Sequence, residues 1–79
     1  MSEEDDTKTT TAGTVEEVLP NSLFRVRIPS KEEGGEGELV LAYLAGKMRL
    51  HRIRVLMGDQ VDMVLDPYGG RARIVRRLT

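Results

Sequence analysis

The chain has no cysteine, no tryptophan, one phenylalanine, two tyrosines and one histidine. Without thiols it forms no disulfide and no thiolate metal site, and the lone His51 leaves only carboxylates for a metal centre. Neither a metal nor a cofactor is expected. The longest apolar run, residues 39–45, is far short of the roughly 20 residues that span a bilayer, so no membrane partner is expected. The acidic start lacks the basic and apolar regions of a signal peptide. These absences predict a soluble cytoplasmic protein. A chain of 79 residues has room for one core, and a domain of that size buries roughly 60% of its unfolded surface.

What the chain does have is charge, unevenly placed. The net charge of −1 conceals ten acids against four bases in residues 1–40, a balance of −6, and eight bases against three acids in residues 41–79, a balance of +5. Nine of the twelve cations are arginine, whose planar guanidinium grips phosphate through two bonds and stacks on bases. The basic half therefore favours structured RNA or another phosphate-rich partner.

Residues 1–12 carry Glu3, Glu4, Asp5 and Asp6 followed by threonines, with no apolar periodicity. Such a segment buries too little to offset its ordering entropy and is expected to be a disordered tail, either solubilising or shielding the basic face from wrong polyanions. The folded domain is expected over residues 13–79. Residues 14–19 are rich in β-branched side chains, Pro20-Asn21-Ser22 is turn chemistry, and Phe24, Val26 and Ile28 alternate with Arg25 and Arg27, which predicts a hairpin. The acidic, glycine-rich residues 29–38 predict a mobile loop to the next strand. Residues 39–45 predict a third strand, covered on both faces or tightly curved in a barrel. Val61, Met63 and Leu65 alternate with polar residues in a fourth strand, and Asp66-Pro67-Tyr68-Gly69-Gly70 is a turn. A fifth strand starts at Arg71, with Ala72 and Ile74 inward and Arg71, Arg73, Val75 and Arg77 sharing the outer face.

Between strands three and four lies the most informative stretch, residues 46–54. It holds Lys47, Arg49, Arg52, Arg54 and His51, with Met48, Leu50 and Ile53 as apolar anchors. Its spacing fits a short helix or turn with its cations outward. Four cations without an intervening acid repel one another unless a polyanion is the partner. Five strands with one irregular insertion, in under 70 ordered residues, predict an all-β OB-fold barrel, with an SH3-like barrel as the competing architecture.

These residues resemble bacterial translation initiation factor one. The resemblance rests on GTVEEVLPNSLFRV at 13–26, VLAYLAGKMRLHRIRVLMGDQV at 40–61 and DPYGGRARIVRR at 66–77. It implies an S1-type OB-fold, no catalytic activity, and docking against ribosomal RNA at the decoding (A) site of the small ribosomal subunit. It also implies that premature tRNA entry is blocked and that other initiation factors are partners. Four features depart from the family: the longer loop at 29–38, Tyr43 where a histidine is often found, the tight turn at Gly69-Gly70, and the acidic tail.

The candidate RNA-binding residues form two groups. The first is Lys47, Arg49, Arg52 and Arg54, with His51 as a secondary member that also fits a plain surface histidine. The second is Arg71, Arg73, Arg76 and Arg77, which Arg25 and Arg27 extend. Tyr43 and Tyr68 are the available stacking platforms, because Phe24 alternates inward. With so few aromatics, recognition is expected to depend on phosphate and 2′-hydroxyl contacts to a folded RNA. An enzyme is not expected: Asp59, Asp62 and Asp66 sit on a turn and a solvent face, and there is no Ser/His/Asp set, Walker loop or nucleotide fingerprint. The expected molecule is a monomer. Two other readings stay open, a stand-alone chaperone of single-stranded RNA and a protein-interaction adaptor that uses the tail and the long loop.

Overall fold

Alternating apolar and polar residues build five strands that close on themselves. The computed structural model describes residues 10–30, 34–35 and 37–78. Within it lie β1 (Thr11–Leu19), β2 (Leu23–Ile28), β3 (Glu38–Leu44), α1 (Gly46–Leu50), β4 (Gln60–Val64) and β5 (Ala72–Arg77). The strands form a closed barrel in the order β1-β2-β3-β5-β4, with β4 returning to β1. Every pairing is antiparallel except β3 with β5, which run parallel through Ala42, Tyr43 and Leu44. This is the OB-fold arrangement, with its helix between the third and fourth strands. The SH3-like alternative is set aside.

The inward alternation holds through Met63 in β4 and Ile74 in β5, whereas Leu65, expected inward with Val61 and Met63, lies past the end of β4 and is 40% exposed. Val15, Phe24, Val26, Ala42, Val61, Met63, Ala72 and Ile74 are buried and form the core together with Met48 and Val55. Closure leaves no long open ladder except along the start of β3, whose pairing with β5 begins only at Ala42.

In three further places the structure differs from the expectation, and at β3 it decides between the two alternatives. β1 begins at Thr11 and not after Gly13, because Thr11 and Ala12 pair with Met63 and Asp62 of β4. The expected tail over residues 1–9, and positions 31–33 and 36 of the acidic loop, lie outside the described residues. β3 is a curved barrel strand and is not covered on both faces, since Leu39 and Tyr43 are exposed while Ala42 is fully buried. Leu50 and Ile53 are not anchors. Leu50 is 77% exposed, because a helix of five residues turns only one face to the barrel and Met48 occupies it. Finally, a bulge separates Arg77 from Arg71 and Arg73. Asp62 pairs with Arg76 but Met63 with Ile74, so Val75 is the extra residue. Beyond it the alternation inverts. Arg76 comes onto the outer face beside Asp62, and Arg77 donates from Nη1 to the carbonyl of Arg54 at 2.8 Å.

Helix α1 ends in a Schellman arrangement: Ile53 N–H donates to the Met48 carbonyl at 3.0 Å and Arg52 N–H to the Arg49 carbonyl at 3.1 Å. The residue that must turn left-handed is Arg52, at φ 55°. Glycine is the usual occupant there, and a side chain in that region costs about 1 kcal/mol or more. Arg52→Gly is therefore expected to stabilise the fold by about 0.5 to 1 kcal/mol, after the entropy glycine loses on folding. A thermal melt checks this as a rise of a few degrees.

On the opposite wall, Arg27 spans to Glu16 with two hydrogen bonds of 2.9 and 3.2 Å. The hydrogen bond from Arg27 holds the Glu16 carboxyl below its ordinary value. A depressed carboxyl stabilises the fold above the ordinary carboxylate range and loses that contribution as pH falls through the lowered value. At this exposed position the contribution is small.

Candidate nucleic-acid interface

The outer face of the barrel carries one continuous row across four strands. Leu23 of β2 lies beside Tyr43 of β3, Tyr43 beside Arg73 of β5, and Arg73 beside Val64 of β4. Two open clefts, each of about 410 Å³, flank this row and share Tyr43 and Arg71. One is completed by Asn21, Ser22, Leu23, Leu44 and Arg49, and the other by Val64, Leu65, Asp66, Pro67 and Arg73. The parallel β3–β5 pairing sets Arg73 beside Tyr43, Arg71 just ahead of β5 lines both clefts with that tyrosine, and α1, which leaves the end of β3, brings Arg49 to the wall of one of them. The result is a tyrosine face framed by guanidinium groups, suited to gripping phosphates on both sides of a base or ribose.

The acids of the basic half are occupied elsewhere. Asp66 accepts backbone N–H groups from Tyr68 at 3.2 Å and Gly70 at 2.8 Å, which fixes the turn before β5. Asp59 accepts the N–H of Leu56 at 2.9 Å, and Asp62 pairs with Arg76 at 3.0 Å. Among the described residues, Lys47, Arg49, Arg52, Arg54 and Arg71 have no acidic partner. Cations without acidic partners raise the affinity of a small barrel for a polyanion.

The predicted residues therefore separate. Arg49, Tyr43, Arg71 and Arg73 come together around the clefts. Lys47, His51, Arg52 and Arg54 are exposed on α1 and the segment after it, outside those clefts. Tyr68, 93% exposed, stands at the tip of the turn that Asp66 holds. Arg76 is tied to Asp62, Arg77 braces the Arg54 carbonyl, and Arg25 faces Glu17 at 3.7 Å on the β1–β2 wall. The sequence analysis missed Asn21 and Ser22, both at left-handed φ of 65° and 62°, which wall the Arg49 cleft. In sequence they read only as a turn, and nothing local marks them as part of a site until closure sets that turn against α1. No group of three or more His, Asp or Glu side chains that could hold a metal is found among the described residues, and no helix is long and apolar enough to cross a membrane.

Barrel order, inserted helix and arginine-bearing outer face define the molecule as a small OB-fold protein with a cationic face. The chain belongs to the translation initiation factor 1A / IF-1 family, which it matches over residues 1–79. The translation initiation factor IF-1 of Rhodospirillum rubrum is 47% identical over 66 residues, covering 82% of this chain and 63% of that protein, so the match spans less than two thirds of that relative's length. Among solved structures, the translation initiation factor IF-1 of the Wolbachia endosymbiont of Brugia malayi superposes with a TM-score of 0.67 at 27% identity, over 100% of this chain and 90% of that one. YjeQ from Thermotoga maritima superposes with a TM-score of 0.70 at 27% identity, over 90% of this chain but only 23% of the other.

Proposed function

We propose that this protein is a non-enzymatic, monomeric and cytoplasmic translation initiation factor. It binds ribosomal RNA at the A (decoding) site of the small ribosomal subunit, keeps tRNA from entering prematurely and assists the other initiation factors. The observation that carries this reading is the convergence of Arg49, Arg71 and Arg73 around Tyr43 on the outer face of a closed barrel. Family membership supplies the translational context. A rigid body that fills a site excludes the site's other ligand by differential binding, with no chemical step.

The exposed surface favours folded RNA over a single strand. Phe24 is buried at 4% exposure, which leaves Tyr43 and Tyr68, with the imidazole of His51, as the exposed rings among the described residues, too few for a stacking track. Arg52, held left-handed at φ 55° and exposed, adds a cation to the segment after α1.

The test is equilibrium binding to isolated small subunits across a tenfold range of salt, with competition by an A-site ligand. If three arginines each neutralise one phosphate, the logarithmic salt slope is about −2 to −3, and affinity falls about 100- to 1000-fold over that range. A flat salt response, or binding indifferent to the A-site competitor, would overturn the proposal.

A further inference from the structure

We infer that the open start of β3 is a docking edge for an extended protein segment, one that adds a strand there and carries apolar side chains flanked by lysine or arginine. This edge is distinct from the cationic clefts and is available whether or not those clefts take RNA.

The pairing register leaves this edge open. β2 accompanies β3 from Glu38 to Tyr43, whereas β5 joins it only at Ala42, Tyr43 and Leu44. Ala45 N–H donates to the Ile74 carbonyl at 2.8 Å, so every second residue before it, Tyr43, Leu41 and Leu39, turns its backbone groups to the β5 side. Those of Tyr43 meet β5. The N–H and carbonyl of Leu39 and the N–H of Leu41 meet no strand among the described residues. The turn before β5 is the cause. Asp66 accepts the N–H groups of Tyr68 and Gly70, which holds the chain in a turn where a longer β5 would run beside Leu39 and Val40. Residues Glu38 to Leu41 therefore offer about 13 Å of unpaired ladder, a template for an incoming strand.

Beside the edge lies a groove of about 390 Å³, lined by Leu39 and Leu41 of β3 and by Leu65. Leu39 and Leu65 are each 40% exposed, and an added strand covers them. Its side chains alternate, one lying beside Val40 and the next beside Leu39 and Leu41. Charge selects the occupant. The groove carries Glu38 and Asp66 against Arg71, whereas the Arg49 cleft holds two arginines and no acid. The two carboxylates repel phosphate, and lysine or arginine beside the apolar residues complements them. A second copy of this chain fits less well, because pairing β3 with β3 sets two Glu38 and two Asp66 carboxylates along one seam. Leu65, Asp66 and Arg71 also border one of the Tyr43 clefts, so the docked segment sits directly beside the cationic face.

The test uses the full chain and an end-capped heptapeptide in which threonine and valine alternate between terminal lysines. In a proton–nitrogen correlation spectrum at about 50 mM salt, where exposed charges are only partly screened, the peptide is expected to shift the amide signals of Leu39 and Leu41 saturably in the millimolar range. The amide of Arg49 is expected to stay in place. Methylating the backbone nitrogens of the threonines alone, or of the valines alone, is expected to abolish the shifts in one case only, because one set of N–H groups turns toward β3 and the other away. Which set it is reports the direction of the added strand. Replacing the terminal lysines by glutamates is expected to weaken binding about tenfold. No saturable shift at Leu39 and Leu41, equal effects of the two methylations, or equally tight binding of the glutamate peptide overturns the inference. So does a shift of the same amides with protein concentration alone, which is the signature of a second copy on the edge, or their shift by a uridine oligonucleotide in place of the peptide.

Discussion

Reversing Arg49→Glu and Arg71→Glu together is expected to weaken small-subunit binding at least about 100-fold near 0.1 M salt while leaving the melting temperature within a few degrees. Both side chains are exposed, neither makes an ion pair among the described residues, and both line the same cleft against Tyr43. Each lost phosphate contact removes about one unit of salt slope, and the two new carboxylates add repulsion from the same phosphates. The expectation is thus a shallower salt dependence as well as a weaker complex. Surface charge changes of this kind usually alter stability by less than about 0.5 kcal/mol. Binding isotherms at three salt concentrations, with a circular-dichroism melt of the same preparation, decide the matter. Unchanged binding with an intact fold would place the interface elsewhere and favour a protein-interaction adaptor.

A second large effect is expected at Gly13. This residue lies in β1 opposite Val61, and a Cβ placed there meets Val26 Cγ1 at 2.6 Å and the Arg27 carbonyl oxygen at 2.8 Å. Val26 is fully buried and the Arg27 carbonyl is part of the β2 backbone, so neither gives way without moving β2 off β1. Gly13→Ala is expected to cost about 2 to 3 kcal/mol, the upper range for overpacking, and to lower the melting temperature by about 8 to 24 °C. Gly46→Ala is the matched control. A Cβ at the first residue of α1 meets nothing within 4 Å, so this substitution is expected to be neutral or to stabilise by up to about 1 kcal/mol. Equal melting temperatures for the two variants would show that the β1–β2 contact yields more easily than the geometry implies.

The two substitutions probe different levels of organisation. The missing side chain at Gly13 lets β1 and β2 approach closely in the closed barrel, and closure is what brings α1 and β5 to the same tyrosine. Binding by Gly13→Ala is therefore expected to fall only in proportion to the unfolded fraction and to recover on cooling, whereas the double arginine variant stays folded and does not bind.

Much of this is legible in the residues themselves. Phe24, Val26, Val61, Met63, Ala72 and Ile74 declare their inward face by simple alternation, which a strand enforces locally because successive side chains point to opposite sides. A compact insertion at 46–54, helix or turn, is legible from its spacing, though not that it is helical over Gly46–Leu50, and the absence of cysteine and the shortage of aromatics constrain the chemistry on their own. The alternation fails at Val75. A bulge is a property of two strands, created where β4 pairs with β5, and β5 alone gives no sign that Arg77 turns away from Arg71 and Arg73. The same limit explains Leu50 and Ile53. Apolar residues beside Met48 look like anchors until a five-residue helix is set against a barrel that has room for one of them.

The sequence by itself determined that the protein is a small β-barrel with an arginine-rich second half, because local periodicity and composition dictate strand faces and charge. Only the tertiary structure decided which arginines stand together. Arg49 and Arg71 are 22 positions apart and line one cleft because β3 and β5 lie parallel and α1 follows the end of β3, while Arg76 and Arg77 are committed to Asp62 and to the Arg54 carbonyl. Long-range pairing, and not residue type, separates a cation available to a polyanion from one that holds the barrel together.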